Sequence, residues 1–270
     1  MAQEKLISFD LRADCGFLKK PDYNEGMLLT YNMLHKPALL GTLGAIIGLE
    51  GYRKKGELPE YYQLLKDIPV GIAPLVGYHE KGNFKKTAVK YSNTVGYANK
   101  DGNLLVEETM LLKPAYRCFL LLSLENKEQV KLYEFLQAGE AEYIPYLGKN
   151  EYQAWWLNEE GESSFREYAF EKGARASQEI PVLSLFKKTI KLKDHTAEDN
   201  YGADYNPFGD SLPLTSASFA YFERLPAGFH SDLFQYELAE YSFSNFPLKA
   251  GIMLEDLYYL PELDGYVQLS

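Results

Sequence analysis

Tyr31-Asn32-Met33-Leu34-His35-Lys36-Pro37-Ala38-Leu39-Leu40-Gly41-Thr42-Leu43-Gly44-Ala45-Ile46-Ile47-Gly48-Leu49-Glu50-Gly51-Tyr52 is the stretch around which this 270-residue chain is organised. From Pro37 onward it predicts a helix, since proline at the first helical position lacks only an N–H that would have had no partner there. Leu39, Leu40, Leu43, Ile46 and Ile47 recur at helical spacing and make a broad apolar stripe. Gly41, Gly44 and Gly48 share one side of the helix. Each glycine costs up to about 1 kcal/mol in a helix relative to alanine, so three on one side imply that something approaches the backbone closely. A packed neighbour and a ligand such as a nucleic-acid backbone both satisfy that condition.

On the N-terminal side, Glu4–Ala13 predicts a strand, with Ile7, Phe9, Leu11 and Ala13 on one face and Ser8, Asp10 and Arg12 on the other. A polar loop with Lys19-Lys20-Pro21 leads into the helix. On the C-terminal side, Pro59–Lys66 suggests a short helix and Val70–His79 a strand bent at its glycines. Residues 81–100 hold five lysines and no acid. Their Thr, Val and Tyr content, with the Asp101-Gly102 turn, predicts a protruding two-stranded ribbon. Ala115–Leu124 reads as a buried strand, and Lys127–Ala138 as a helix capped by Asn126, with Gln129 at the capping-box position and Gly139 as its stop. Tyr143–Trp156 returns as a strand interrupted by Leu147-Gly148-Lys149-Asn150-Glu151. The order β, α, β, ribbon, β, α, β is that of a split β-α-β, or ferredoxin-like, domain. Beyond Trp156 come short strand candidates between Gly, Pro and Asn turns, and Asp194–Asp210 reads as a loop.

The chain can bury a real core as one large domain or two modest ones. Its net charge of −10 is unevenly placed: residues 1–138 carry 18 basic and 16 acidic side chains, residues 139–270 carry 10 and 22. A near-neutral half with basic patches is thus joined to an acidic half suited to protein contacts. Cys15 and Cys118 have no metal-type spacing. The first residues do not read as a signal peptide and no apolar run approaches the roughly 18 residues of a membrane span, so a soluble cytoplasmic protein with no membrane partner is expected.

Phosphate-loop, G-x-S-x-G and H-E-x-x-H motifs are absent. His35, His79, His195 and His230 are scattered, and Glu107 and Glu108 point to opposite faces of an extended chain. No catalytic or metal-binding set is expected. What remains is chemistry for single-stranded nucleic acid: Lys81, Lys85, Lys86, Lys90 and Lys100 interleaved with Phe84, Tyr91 and Tyr97. Lysines gain phosphate affinity by counterion release, and aromatic rings stack on bases for about 1–3 kcal/mol each. A solvated hairpin explains the same charges. Arg12, Lys19, Lys20 and Lys113 are weaker candidates that ordinary surface charge also explains.

Taken in order, Phe9-Asp10-Leu11-Arg12, the Tyr31…Pro37…Gly41…Gly44…Gly48 helix, Glu107/Glu108 ahead of Leu111-Leu112-Lys113-Pro114-Ala115-Tyr116, and Tyr146-Leu147-Gly148-Lys149-Asn150-Glu151 resemble the fifth family of CRISPR-associated proteins, in the RAMP superfamily. The resemblance covers residues 4 to about 156, and the chain's length and C-terminal half look like the subtype I-B branch. It implies an α+β fold: a ferredoxin-like (RRM/RAMP) domain over 1–156 with a thumb-like β-ribbon inserted at about 81–104, then a mainly β region over 157–270. It implies a non-catalytic, cofactor-free subunit of a type I Cascade antiviral surveillance complex, capping the five-prime handle of the CRISPR RNA. Its partners would be that handle, the backbone and large subunits and, through the complex, target DNA. Together with the cations and rings above, it gives as candidate RNA-facing residues Arg12, Lys19, Lys20, Tyr31, Lys85, Lys86, Lys90, Tyr91, Asn93, Tyr97, Lys113 and Lys149, and it implies that the helix entry Tyr31–Lys36 is turned toward RNA. Leu147–Glu151 would be the glycine-rich loop. The subtype I-C branch instead cuts precursor RNA without metal, using a Tyr, Lys and His. Tyr31 stands at or near that Tyr position, but no His lies between His79 and His195, so cleavage is expected to be lost. Metal-independent endoribonuclease and protein-docking subunit without RNA contact are the two alternatives.

Overall fold

The computed structural model describes residues 4–21, 26–93, 104–173, 179–187, 191–192, 218–248 and 252–270. In chain order the elements are β1 (Glu4–Ala13), β2 (Cys15–Gly16), β3 (Met27–Leu28), α1 (Lys36–Ile47), α2 (Glu60–Leu65), β4 (Val70–Pro74), β5 (Lys86–Asn93), β6 (Leu104–Leu112), β7 (Ala115–Ser123) and α3 (Lys127–Ala138). There follow β8 (Ala154–Trp155), β9 (Arg166–Tyr168), β10 (Glu171–Lys172), β11 (Phe186–Lys187), β12 (Lys191–Leu192), β13 (Ala220–Phe229), β14 (Tyr236–Ser244), β15 (Ile252–Met253), β16 (Leu257–Leu260) and β17 (Gly265–Gln268), with a 3-10 turn at Pro261–Leu263. The fold is α+β, and among the described residues the part after α3 is built of strands.

The central sheet has the order β4-β7-β1-β8, and its neighbouring strands run antiparallel. β1 and β4 are therefore parallel, joined through α1 and split by β7, which is the split β-α-β connectivity the sequence order predicts. Leu6, Ile7, Phe9 and Leu11 of β1 are fully buried, each burial contributing about 1.5–3 kcal/mol. The polar face of β1 is covered as well. Ser8 Oγ lies 3.0 Å from the Tyr168 hydroxyl, and Asp10 accepts a two-pronged hydrogen bond from Arg117 at 2.8 and 3.1 Å.

α1 buries Leu39, Leu40, Leu43, Ile46 and Ile47 as its stripe predicts. Its cap is His35, whose Nδ1 accepts from Ala38 N. α3 has the bounds and the Asn126 cap that the sequence predicts, but Gln129 accepts from Ser123 N at 2.7 Å and so closes the preceding turn instead of a reciprocal capping box. The strand expected over Tyr143–Trp156 shrinks to β8 and a Tyr146–Gln153 bridge. The segment's start is instead held by α1's last turn: Glu142 N donates to the Ile46 carbonyl, and Tyr143 N joins Gly48 N in donating to the Ala45 carbonyl.

The ribbon does not simply protrude. β5 and β6 pair from Lys86↔Leu111 to Asn93↔Leu104, but β6 is also paired on its other edge, antiparallel to β2 and parallel to β3. Its root is thus the middle of a second sheet. A large apolar cluster runs from β1, α1 and β7 through Leu185, Leu225, Tyr241, Phe243 and Val267; a smaller one gathers Ile180, Val182, Phe186, Leu248, Leu257 and Tyr266.

Candidate nucleic-acid interface

The glycine face of α1 meets α2. A Cβ on Gly41 would lie 3.6 Å from Tyr61 Cζ, and one on Gly44 would collide with the Tyr61 side chain. Gly48 ends the helix in the left-handed region at φ 81°. Close packing therefore accounts for Gly44 and helix termination for Gly48, while at Gly41 a Cβ would make only an ordinary contact. Beside this contact runs a groove of about 860 Å³, within the 300–1,000 Å³ of small-molecule sites. Tyr52, Tyr61, Tyr143, Tyr146 and Tyr236 line it, with Lys19, Arg53 and Lys149 at its edges. Tyr52, Tyr143 and Tyr146 are exposed. The carboxylate in its lining is Glu50, which pairs with Arg53. These tyrosines come from four separate segments, and no local spacing marks them; the density of Tyr143 and Tyr146 ahead of Gly148 was the available signal.

The Leu147–Glu151 loop forms one wall. Phe17 N donates to Leu147 O at 3.0 Å and Leu147 N to Tyr152 O at 2.9 Å. Gly148 sits at φ 88°, where a Cβ would run into the Phe17 carbonyl, so the loop needs glycine for both conformation and space. Lys149 leaves this loop toward the ribbon, reaching Glu108 at 2.5 Å and the Tyr91 hydroxyl at 3.2 Å.

On the ribbon, Lys86 and Lys90 share one face of β5, and Tyr91 takes the other. Lys85, Lys86 and Lys90 are exposed, and Lys90 pairs with Glu107 across the strands at 2.6 Å. Asn93 ends β5, and Tyr97 lies outside the described residues. Lys19 stands exposed at the groove, and Lys113 is exposed in the tight β6–β7 turn at φ 47°. Arg12 is half-buried, 3.3 Å from Asp10, with its guanidinium over the Tyr78 ring.

The structure places the helix entry in the interior: Tyr31, Asn32, Met33, Leu34 and His35 are all buried, Tyr31 at 2% exposed, with His35 among the residues lining the groove. Tyr31 packs edge-on to His35 and beneath the Lys20 ammonium, which itself pairs at 3.2 Å with Glu223, whose side chain is 7% exposed. Glu223, on β13, accepts from Asn32 N and Met33 N at 3.1 and 3.0 Å and from the Tyr221 hydroxyl at 2.8 Å. The Asn32 side chain donates to Gly82 O at 2.8 Å and accepts from Phe84 N at 3.0 Å, while its own carbonyl accepts from the Tyr116 hydroxyl. Asn32 and Glu223, which sequence reasoning missed, thus tie the start of α1 to the ribbon root, β7 and β13. Isolated polar residues carry no pattern that would announce this.

His35 is held neutral, its pKa lowered to about 3 by burial. The His79 pKa is lowered by burial too; its Nδ1 accepts from Gly82 N and its ring lies edge-on to Phe84, Phe219 and Phe243. Among the described residues no group of three or more His, Cys, Asp or Glu comes together, and no helix is long and apolar enough to cross a membrane.

Fold and site together define an α+β protein with a split β-α-β sheet, a lysine-bearing ribbon and a tyrosine-lined groove. No protein-family description and no curated protein matches the chain. Among solved structures it is similar to a CRISPR protein from Archaeoglobus fulgidus, at 12% identity and a TM-score of 0.44 over 97% of both chains. It is similar to a chain of a CRISPR RNA-guided surveillance complex, at 11% identity and a TM-score of 0.45 over 90% of this chain and 92% of that one. A chain of the Type III-B Cmr-beta complex bound to cognate target RNA and AMPPnP gives 12% identity and a TM-score of 0.37 over 93% and 86%. At these scores none of them carries a residue assignment over to this chain.

Proposed function

We propose that this chain is a non-catalytic RNA-binding subunit of a type I, I-B-like Cascade surveillance complex, holding the five-prime handle of the CRISPR RNA. The family resemblance of residues 4 to about 156 motivates the reading. The observation that carries it is the placement of the exposed Lys85, Lys86 and Lys90 on a ribbon whose root is joined, through Lys149, to a groove with three exposed tyrosines. Cations beside a row of accessible rings are what a single strand requires: phosphates meet the former and bases stack on the latter. The ribbon serves as the thumb of a ferredoxin-like domain over 1–156, and the acidic region 157–270 faces the protein partners. A buried Tyr31 and a buried, neutral His35 suit RNA holding better than RNA cleavage.

The test is the Lys85→Glu, Lys86→Glu, Lys90→Glu triple variant, titrated with a labelled CRISPR repeat RNA across a salt series. Binding should weaken, and the log–log salt slope should flatten by about 2, at about 0.7 per lost phosphate contact on a single strand. A variant with wild-type affinity and slope refutes the ribbon as an RNA contact.

A further inference from the structure

Lys149 is the one residue expected to meet RNA that the structure places between the Leu147–Glu151 loop and the ribbon. Its loop is fixed on both sides by the Phe17–Leu147 and Leu147–Tyr152 backbone hydrogen bonds and by the Gly148 turn. Its ammonium lies 2.5 Å from a carboxylate oxygen of Glu108, whose side chain is 1% exposed, in the middle strand of the ribbon sheet. The Tyr91 hydroxyl, from β5, completes a triangle: it lies 3.2 Å from Lys149 Nζ and donates to the other Glu108 oxygen at 3.3 Å. The rings of Tyr91, Phe17 and Tyr152 surround the ammonium with centroids 4.8, 5.0 and 6.0 Å away.

A carboxylate this deeply buried requires a partner, because an unpaired buried charge is strongly unfavourable. Lys149 supplies it from outside the ribbon, so the charge of Glu108 is satisfied only when the ribbon stands in one place against the loop. The rings around the ammonium favour the cation where it stands, against Glu108. Exposed Lys85, Lys86 and Lys90 have no such enclosure.

We propose that Lys149 is a positioning residue: it sets the ribbon against the groove through Glu108 and Tyr91 and acts on RNA only through the ribbon. This rests on the RNA-binding reading for its consequence, but not for its mechanics, which are visible without RNA. If Lys149 held a phosphate instead, Glu108 would be its competitor, and the two hypotheses then differ in sign.

The experiment uses the full chain as Lys149→Met, Glu108→Gln and the double variant Glu108→Leu/Lys149→Met. Hydrogen exchange is followed over Lys86–Asn93 and Leu104–Leu112 without RNA, and labelled repeat RNA is titrated separately. Lys149→Met should speed exchange in both strands by about 100-fold, the scale of breaking a buried pair from one side, and weaken RNA binding. The double variant, with neither charge left, should restore both protection and RNA affinity. Glu108→Gln should loosen the ribbon and weaken binding. Unchanged exchange in Lys149→Met overturns the proposal. So does a double variant that closes the ribbon while RNA binding stays weak, or a Glu108→Gln variant that binds RNA more tightly, since each makes Lys149 a phosphate ligand. Should the wild type fail to bind RNA, the functional reading falls by itself, and the exchange results still decide what Lys149 does to the ribbon.

Discussion

Lowering the pH should weaken this fold through His35. The ring is buried between Tyr31 and Tyr236, at centroid distances of 5.2 and 5.5 Å, and it caps α1 by accepting from Ala38 N, which only a deprotonated Nδ1 can do. Burial lowers its pKa from 6.5 to about 3. Below pH 6.5 the unfolded chain takes up a proton that the native state refuses until about pH 3. Stability contributed by the neutral ring is therefore complete above pH 6.5 and is lost progressively as pH falls toward 3. At 1.36 kcal/mol per pKa unit, the loss at pH 5 is about 2 kcal/mol. The perturbation is His35→Asn, which keeps a capping acceptor that does not titrate. Urea unfolding of both proteins at pH 7 and pH 5 separates His35 from every other titrating group, because the others cancel in the difference. The stability advantage of wild type over variant should shrink by about 2 kcal/mol between the two pH values. An advantage that is the same at both would refute a buried, neutral His35.

Two further substitutions probe the scaffold that holds the interface. Asn32→Ala leaves Gly82 O and Phe84 N without their side-chain partner in a site where Asn32 is 1% exposed; destabilisation of about 2–5 kcal/mol should appear as a lowered melting temperature. A wild-type melting temperature would show that the ribbon root does not depend on it. Gly148→Ala should be destabilising by more than about 2 kcal/mol, because it meets both the left-handed backbone and the Phe17 carbonyl. Limited proteolysis should then cut within Leu147–Glu151, and resistance equal to wild type would count against the loop geometry.

How much of this was legible beforehand follows from the range of each interaction. β1 and α3 were read to the residue because alternation, capping and a terminal glycine are local signals. α1 was read with its core face, and the split β-α-β connectivity from the order of elements along the chain. Tyr143–Trp156 was misread because its strand-like composition competes with tertiary hydrogen bonds, those of Glu142 and Tyr143 to the end of α1. Tyr31 was expected at a surface and is buried, because an aromatic's place in the fold depends on what the loop before α1 packs against.

By itself, the sequence determined the α+β class, the long elements, the lysine-rich ribbon and the glycine side of α1, since periodicity and composition are properties of neighbouring residues. Only the tertiary structure decided which cations remain open and which are held. Lys85 and Lys86 stay exposed and Lys90 meets its cross-strand neighbour Glu107, whereas Lys20 and Lys149 are drawn to Glu223 and Glu108, carboxylates 203 and 41 positions distant in the chain whose side chains are 7% and 1% exposed. A charge announces itself in one dimension; its partner is chosen in three.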